Sequence, residues 1–273
     1  MFQDIYPKKF NNAYNPDAVI SDDDYVLIYE KGESVFKNQE FEFFRYSDTK
    51  RLFGNKKFTY LFSIDDEKFF LCVGADVSEY KVRMKNIKLR YFEPQWVGFA
   101  AAVGASLAFW YRRVQHCGVC GRRMNHSQTE RAMVCPQCNN TVYPAIAPAV
   151  IVALVHDDKI LLTRYAHGPY KRYALIAGYT EIGETVEETV IREVMEEVGI
   201  KAKNLRYYGS QPWPFSGSVL MGYIAEVDGS DEIKLDRSEL CEGIWVDRAD
   251  VEADEDPRSL TNTMIKDFKL GKF

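Results

Sequence analysis

Positive charge is in short supply in this chain. Its 35 lysines and arginines are outnumbered by 40 acidic residues, for a net charge of −5. That argues against broad nucleic-acid binding, which needs a basic face, and leaves room only for a local basic pocket. Long apolar runs are missing too. The longest, Trp96 to Tyr111, has sixteen residues, fewer than the ~20 of a membrane-spanning helix. Its alanines and glycines, interspersed with bulky residues, predict a buried helix from Pro94 to Val114 with Arg112 and Arg113 at its end. The opening MFQDIYPKKF lacks the apolar core of a secretory signal, so a cytoplasmic protein with no membrane partner is expected. There is no internal repeat and no low-complexity stretch. What is present is 273 residues, 46% hydrophobic and 14% aromatic, enough to bury a substantial core.

Cysteine is sparse but patterned. Four of the 6 cysteines form two C-x2-C pairs, Cys117 with Cys120 and Cys135 with Cys138. Without a secretory signal, this spacing reads as zinc rather than disulfides. Four thiolates close a tetrahedral shell and leave no position for a substrate, so one structural Zn2+ is expected. Four unrelated thiols would not pair this way. His116 and His126 lie nearby but are not needed as ligands. Cys72 and Cys241 sit in apolar, strand-like runs and are expected to be core thiols.

Three parts follow from these landmarks. Residues 1–114 are aromatic-rich. YVLIYE and YLFSIDDEKFFLCV read as strands, the second a hairpin turning at DDEK, and no chemical motif stands out. Residues 115–144 are the zinc module. Residues 145–273 read as a compact α/β unit, with a hairpin turning at HDDK, a strand ending ALIAG, strands in LRYYGS, VLMGYIAEV and EGIWVD, and a terminal helix in SLTNTMIKDFKL.

Within that unit, EIGETVEETVIREVMEEVGI at 181–200 packs seven glutamates around one arginine. Thr185 to Glu188 spells a capping box, and Gly199 supplies a stop, which predicts a helix over Val186 to Val198. Val190, Ile191, Val194 and Val198 are expected on its apolar face. Glu193, Glu196 and Glu197 follow i, i+3, i+4 spacing and project together, Glu197 at the edge of the apolar face. Arg192 is placed to hold a neighbouring carboxylate. Clustered like charges destabilise a bare helix, and a hard divalent cation is the simplest remedy. A solvated acidic face is the ordinary alternative.

A longer pattern decides against that alternative. Gly178, Glu184, Arg192, Glu193, Val194, Glu196, Glu197, Gly199 and Ile200 spell G-x5-E-x7-R-E-U-x-E-E-x-G-U, with U apolar. This resembles the complete Nudix box. SQPWPFSGS, Ser210 to Ser218, resembles the signature that follows the box in NADH pyrophosphatases, a subgroup that also carries a zinc ribbon ahead of the catalytic domain. The resemblance extends from roughly residue 88 to the end, while the earlier part agrees only in position and strand content. Two positions depart from it. Ser216-Gly217 stands where the signature has a proline, which is expected to loosen that loop. Tyr179 stands where bacterial relatives commonly carry Phe.

The resemblance implies a Nudix α/β/α sandwich, in the α/β (α+β) class, preceded by a zinc ribbon and a strand-rich N-terminal domain. It implies Mg2+ or Mn2+ held by Glu193 and Glu197, with Glu196 alongside, the Ala177 carbonyl, and Glu239 as a further acidic ligand or base. A surface glutamate before a strand is the plain alternative for Glu239. Arg192 and Glu184 complete the catalytic set. Gln211, Pro212, Trp213, Pro214, Phe215, Ser216, Gly217 and Ser218 would line a dinucleotide pocket, although a proline-rigidified turn around a core tryptophan accounts equally well for Trp213. Tyr179 would stack on nicotinamide. Tyr143, Glu130, Thr261 and Arg90 match substrate-contacting positions, Arg90 with altered spacing. The implied reaction is hydrolysis of the pyrophosphate of NAD(H), giving nicotinamide mononucleotide (reduced, from NADH) and AMP. The same cut on an NAD-capped RNA would leave a 5′-monophosphate end. A homodimer is implied by the resemblance alone. A Nudix hydrolase of another nucleoside diphosphate derivative, such as ADP-ribose or a dinucleoside polyphosphate, and a non-enzymatic nucleotide sensor are the competing readings.

Overall fold

Strand alternation and helix periodicity both become sheet-facing surfaces in the C-terminal half. A computed structural model describes residues 1–53, 56–168, 172–254 and 258–273. By its contacts the chain divides into two units, 4–145 and 1–3 with 146–273.

In the first unit a seven-stranded sheet runs in the spatial order Phe10–Asn11, Phe58–Ile64, Glu67–Cys72, Tyr25–Glu30, Glu33–Val35, Arg83–Lys85, with Phe44–Arg45 also pairing to Tyr25–Glu30. Phe36, Phe44, Phe62, Phe69 and Phe70 are almost wholly buried, which is where the aromatic excess goes. The expected apolar helix is α1, Gln95–Arg113. A Cβ at Gly104 would collide with Leu27 and with the Tyr29 hydroxyl, which donates to the Ala101 carbonyl at 2.8 Å, so glycine lets the helix lie close on the sheet. No helix among the described residues is long and apolar enough to cross a membrane. The zinc module follows as three short antiparallel strands, Asn125–His126, Met133–Val134 and Thr141–Val142. The Tyr14 hydroxyl donates to the Ser127 carbonyl at 2.8 Å, and Arg131 donates to the Leu61 carbonyl at 2.7 Å, so the module is tied into this unit.

The second unit contains β1 (Ala147–His156), β2 (Lys159–Tyr165), β3 (Ile176–Tyr179), α2 (Val186–Val198), β4 (Ala202–Trp213), β5 (Ser218–Val227), β6 (Leu240–Asp247) and α3 (Leu260–Lys269). The sheet order is β4-β5-β1-β2-β6, and β3 also pairs with β1. β1 and β5 run parallel, and the other pairs are antiparallel. Successive β1 residues point to opposite faces. Val150, Val152 and Leu154 pack with Val190, Val194 and Val198 of α2. Ile151 and Ala153 pack with Leu260, Met264, Ile265 and Phe268 of α3. The sheet therefore lies between two helices, an α/β/α sandwich.

Three expectations are corrected here. Ile191 is 46% exposed and outside the buried face of α2, whose buried stripe instead takes in Thr189, Glu193 and Glu197. Cys241 is exposed rather than a core thiol, its Sγ 3.5 Å from the Arg164 and Tyr165 carbonyls. Cys72 is buried as expected, and burial pushes its thiol up to about 11. The SQPWPFSGS segment is not one loop. Ser210 to Trp213 end β4, only Pro214 to Gly217 turn, and Ser218 begins β5.

Candidate active site and zinc module

β3 delivers the backbone against which α2 sets its glutamates. Val150 of β1 pairs with Gly178 of β3. A Cβ at Gly178 would fall on the Glu193 carboxyl group, so only glycine lets the two approach. The α2 cap forms as the sequence predicts. The Thr185 side chain accepts from the Glu188 amide at 3.2 Å, and the Glu188 carboxylate accepts from the Thr185 amide at 2.7 Å. Gly199 closes the helix in the left-handed region, φ 69°.

Arg192 organises the carboxylates. Its guanidinium donates to Glu184 Oε1 at 2.6 Å and Oε2 at 3.0 Å, to Glu193 at 2.8 Å, to Glu196 at 2.9 Å and to the Tyr179 carbonyl at 2.9 Å. The Arg192 hydrogen bonds hold the Glu184 carboxyl at about 2, well below the usual range, with the Glu181 amide assisting. Glu193 is raised, chiefly by burial.

Glu197 is the most confined member, 2% exposed. Its Oε1 faces the Ala177 amide at 3.4 Å, and its Oε2 is buried with no hydrogen-bond partner. Burial, followed by the charges of Glu193, Glu239 and Asp236, pushes its carboxyl up to about 8. Glu239 is exposed at the foot of β6, yet its charge reaches both Glu193 and Glu197, so folding brings it to the cluster. Asp236 was not legible in the sequence as part of this site. It lies in an irregular stretch without a motif, and its amide donates to the Glu197 carbonyl at 2.9 Å.

An ionised, buried oxygen without a partner is costly. The cluster offers hard carboxylate oxygens, the donor type that Mg2+ and Mn2+ take. The donor type therefore suits a divalent cation, while among the described residues only the four cysteine sulfurs already converge to within metal-binding distance of one another.

The neighbouring polar turn is ordered by hydroxyls. The Tyr179 and Ser218 hydroxyls lie 3.3 Å apart, and Ser218 lies 2.7 Å from the Ser216 hydroxyl. Gly217 takes φ 71°, and its amide donates to the Trp213 carbonyl at 3.1 Å. The missing proline is thus replaced by a glycine turn and a serine pair. Tyr179 is 52% exposed, its ring available for stacking. Trp213 packs edge-on against Phe215 at 4.9 Å, and Phe215 packs on Phe2 at 5.1 Å. Pro212 is exposed and Pro214 half-buried. Gln211 does not line an open surface. It is fully buried, its amide donating to Gln3 at 3.1 Å and the Arg258 carbonyl at 3.0 Å and accepting from the Leu260 amide at 2.8 Å. Thr261 is half-buried in the first turn of α3.

The remaining expected contacts lie in the other unit. The Tyr143 hydroxyl donates to Glu130 at 2.9 Å, both side chains exposed. Arg90 is buried in a short 3-10 helix, Asn86–Tyr91, 5.1 Å from the centre of the Tyr91 ring.

In the zinc module all four cysteine sulfurs lie within 4.8 Å of one another. Contacts of 3.4 to 3.6 Å join Cys117 to Cys138, Cys120 to Cys135 and Cys138 to Cys120. A tetrahedral thiolate shell with ~2.3 Å Zn–S bonds has sulfurs about 3.8 Å apart, so the arrangement fits zinc. Each pair sits on a matching knuckle. Gly121 and Asn139, next after each pair, have positive φ of 74° and 57° and donate back to the Cys117 and Cys135 carbonyls at 2.8 and 3.0 Å.

Comparison with known proteins agrees with both halves. Residues 145–264 match the NUDIX domain family, and residues 112–143 match the NADH pyrophosphatase zinc ribbon domain. A Photorhabdus laumondii protein named NAD-capped RNA hydrolase NudC is 48% identical over 145 residues, 53% of this chain and 56% of that protein. An Escherichia coli O1:K1 protein of the same name is 45% identical over 167 residues, 61% of this chain and 65% of that protein. The matched segment thus spans between half and two thirds of these relatives. A NUDIX hydrolase crystal structure from Nitrosomonas europaea superposes with a TM-score of 0.50 at 21% identity, covering 58% of this chain and 92% of that one. At that identity the likeness speaks for the fold.

Proposed function

From the premise that the chain carries a Nudix domain behind a zinc ribbon of the NADH pyrophosphatase kind, we propose that it hydrolyses the pyrophosphate of NAD(H). The products are nicotinamide mononucleotide and AMP, and the same cut removes an NAD cap from RNA. One observation carries the catalytic half of this reading, the buried, unpartnered Oε2 of Glu197 beside Glu193 and Glu239. The substrate half rests on the SQPWPF segment, the ribbon and the NudC relatives.

Glu193 and Glu197 would hold the catalytic Mg2+ or Mn2+, with Glu196, Glu239 and the Ala177 carbonyl alongside. When bound, such cations neutralise pyrophosphate charge and lower the pKa of water. Arg192 locks Glu184, Glu193 and Glu196 in place, so the carboxylates are arranged before substrate arrives. If Glu239 is not a ligand, it is our candidate to accept a proton from the attacking water, since it is exposed and its charge acts on Glu193 and Glu197. Tyr179 offers a ring to the nicotinamide, next to Gly178 and the glutamates. Pro212 to Ser218 shape the adjacent surface. Tyr143, Glu130, Thr261 and Arg90 are assigned substrate contact by resemblance. The assembly is proposed to be a homodimer, which sedimentation would test.

The deciding measurement is kinetics on NADH, NAD+, NAD-capped RNA and ADP-ribose at matched Mn2+ or Mg2+, with product analysis. NADH giving AMP and reduced nicotinamide mononucleotide, in preference to ADP-ribose turnover, is expected. A clear preference for ADP-ribose would overturn the substrate, and no turnover on any of the four would overturn the enzyme.

A further inference from the structure

The acidic balance of the chain conceals one region of opposite sign. From Pro94 to Thr129 there is no aspartate or glutamate, while Arg112, Arg113, Arg122 and Arg123 all fall inside it. All four are exposed, and none makes a side-chain hydrogen bond or ion pair among the described residues. Arg131, just beyond, behaves differently, since its guanidinium is spent on the Asn12 and Leu61 backbone.

The four arginines are neighbours. Arg112 and Arg113 end α1, and both guanidinium groups lie over Phe109, 5.6 and 5.0 Å from its ring centre. Phe109 is itself 50% exposed. Two residues on from Val114, His116 pairs in a β-bridge with Arg123, and the Cys117 amide donates to the Arg122 carbonyl at 2.7 Å. The first zinc knuckle therefore places Arg122 and Arg123 beside the end of α1.

Two structural explanations fall short. Basic residues in the last turn of a helix complement its dipole, but that covers only Arg112 and Arg113. A Zn2+ ion in four thiolates carries a net charge of −2, which Arg122 and Arg123 would balance, but neither explanation accounts for an exposed Phe109 lying under two guanidinium groups. Exposed arginines, two of them lying over an exposed aromatic ring, suit one ligand class. Arginines neutralise successive phosphates, and an exposed ring flanked by guanidinium groups accepts a base by stacking.

We propose that Phe109, Arg112, Arg113, Arg122 and Arg123 bind the body of a single-stranded RNA, through its phosphate backbone and one stacked base. The proposal builds on the preceding reading, in which a dinucleotide-capped RNA is a substrate.

The test uses the full chain with zinc bound, in two variants. One replaces the four arginines with alanine and the other with lysine, which keeps the charge. Binding of an uncapped, 5′-monophosphorylated single-stranded RNA is titrated against salt, independently of catalysis. Wild type should show log Kd rising with log salt, and the alanine variant should bind at least about tenfold more weakly, with the slope reduced by about 0.7 for each phosphate no longer neutralised. The lysine variant should keep the slope. On substrates, the alanine variant should lose kcat/KM on NAD-capped RNA and retain it on free NADH. Phe109→Ala should weaken RNA binding without altering the salt slope. Unchanged RNA affinity and slope in an alanine variant with full zinc content would overturn the proposal, as would equal losses on capped RNA and NADH. If the fourfold variant does not fold, Arg112→Ala with Arg113→Ala, on the last turn of α1 and ahead of both cysteine pairs, must still lower affinity and slope. Failure of NADH and capped RNA alike to turn over in wild type would instead count against the preceding reading, leaving the RNA titration to decide this one.

Discussion

Glu197 can be probed at a single atom. In protein carrying zinc but exchanged free of Mg2+ and Mn2+, its carboxyl titrates near 8 rather than the ordinary 4.5. The folded state binds this proton more tightly than the unfolded state. The resulting stability is fully present below about pH 4.5 and is lost as pH rises through 8, up to about 5 kcal/mol for this one group. The melting temperature of that protein should therefore fall between pH 5 and 8. Added Mn2+ should restore it, and Glu197→Gln should flatten the decline. A Gln variant with an unchanged pH slope would remove Glu197 as the cause. The same variant at saturating substrate and Mn2+ should lose kcat by orders of magnitude, and near-normal turnover would remove it from the catalytic set. At Tyr179 the ring and the hydroxyl separate. Tyr179→Ala should cost NADH about 1–3 kcal/mol in kcat/KM and leave ADP-ribose nearly unaffected. Tyr179→Phe keeps the ring but removes the hydroxyl that meets Ser218. It should raise KM for NADH about two- to fivefold, and adding Ser218→Ala should raise it little further, because both remove one interaction. Additive losses would show that the hydroxyl pair does not orient the ring.

The elements are set by short-range interactions. Thr185 and Glu188 close the α2 cap on each other, and Thr185→Ala should cost about 1 kcal/mol in chemical unfolding with little effect on kcat. Gly178→Ala should do the opposite. It adds a methyl where the Glu193 carboxyl sits, so kcat should collapse while β3 and α2 persist by circular dichroism. Activity close to wild type in this variant would mean that Glu193 is not needed where it stands. In the ribbon, Cys117 Sγ also accepts from the Val119 amide at 3.4 Å and the Asn140 side chain at 3.5 Å.

At the scale of the molecule, those ribbon contacts belong to the unit of residues 4–145. Cys117→Ser should release zinc, about one ion per chain by elemental analysis, and lower the thermal stability of that unit. The ribbon is held to the N-terminal sheet through Tyr14 and Arg131, so the loss should extend into that sheet. Hydrogen exchange should accelerate in Phe58–Ile64, while α2 and β1 keep their protection. Wild-type zinc content in the variant would show that the remaining three thiolates suffice.

The sequence by itself determined whatever depends on residues a turn apart. The bounds and cap of α2, the two zinc knuckles and the hairpins at 65–66 and 157–158 are local, because a hydrogen bond three or four residues away closes each one. The spacing from Gly178 to Ile200 also contained most of the candidate site, since one strand, one loop and one helix carry it. Tertiary structure decided the rest. The buried stripe of α2 centres between Val190 and Glu197, roughly a third of a turn from Ile191 at 100° per residue, so the sheet covers two glutamates and leaves an isoleucine in solvent. Burial of Gln211 depends on Gln3 and on the start of α3, partners that no local pattern announces. Asp236 and Glu239 press on Glu197 only because β6 returns to the far edge of the sheet, and the cost of that shared charge exists only once folding has removed the water around it.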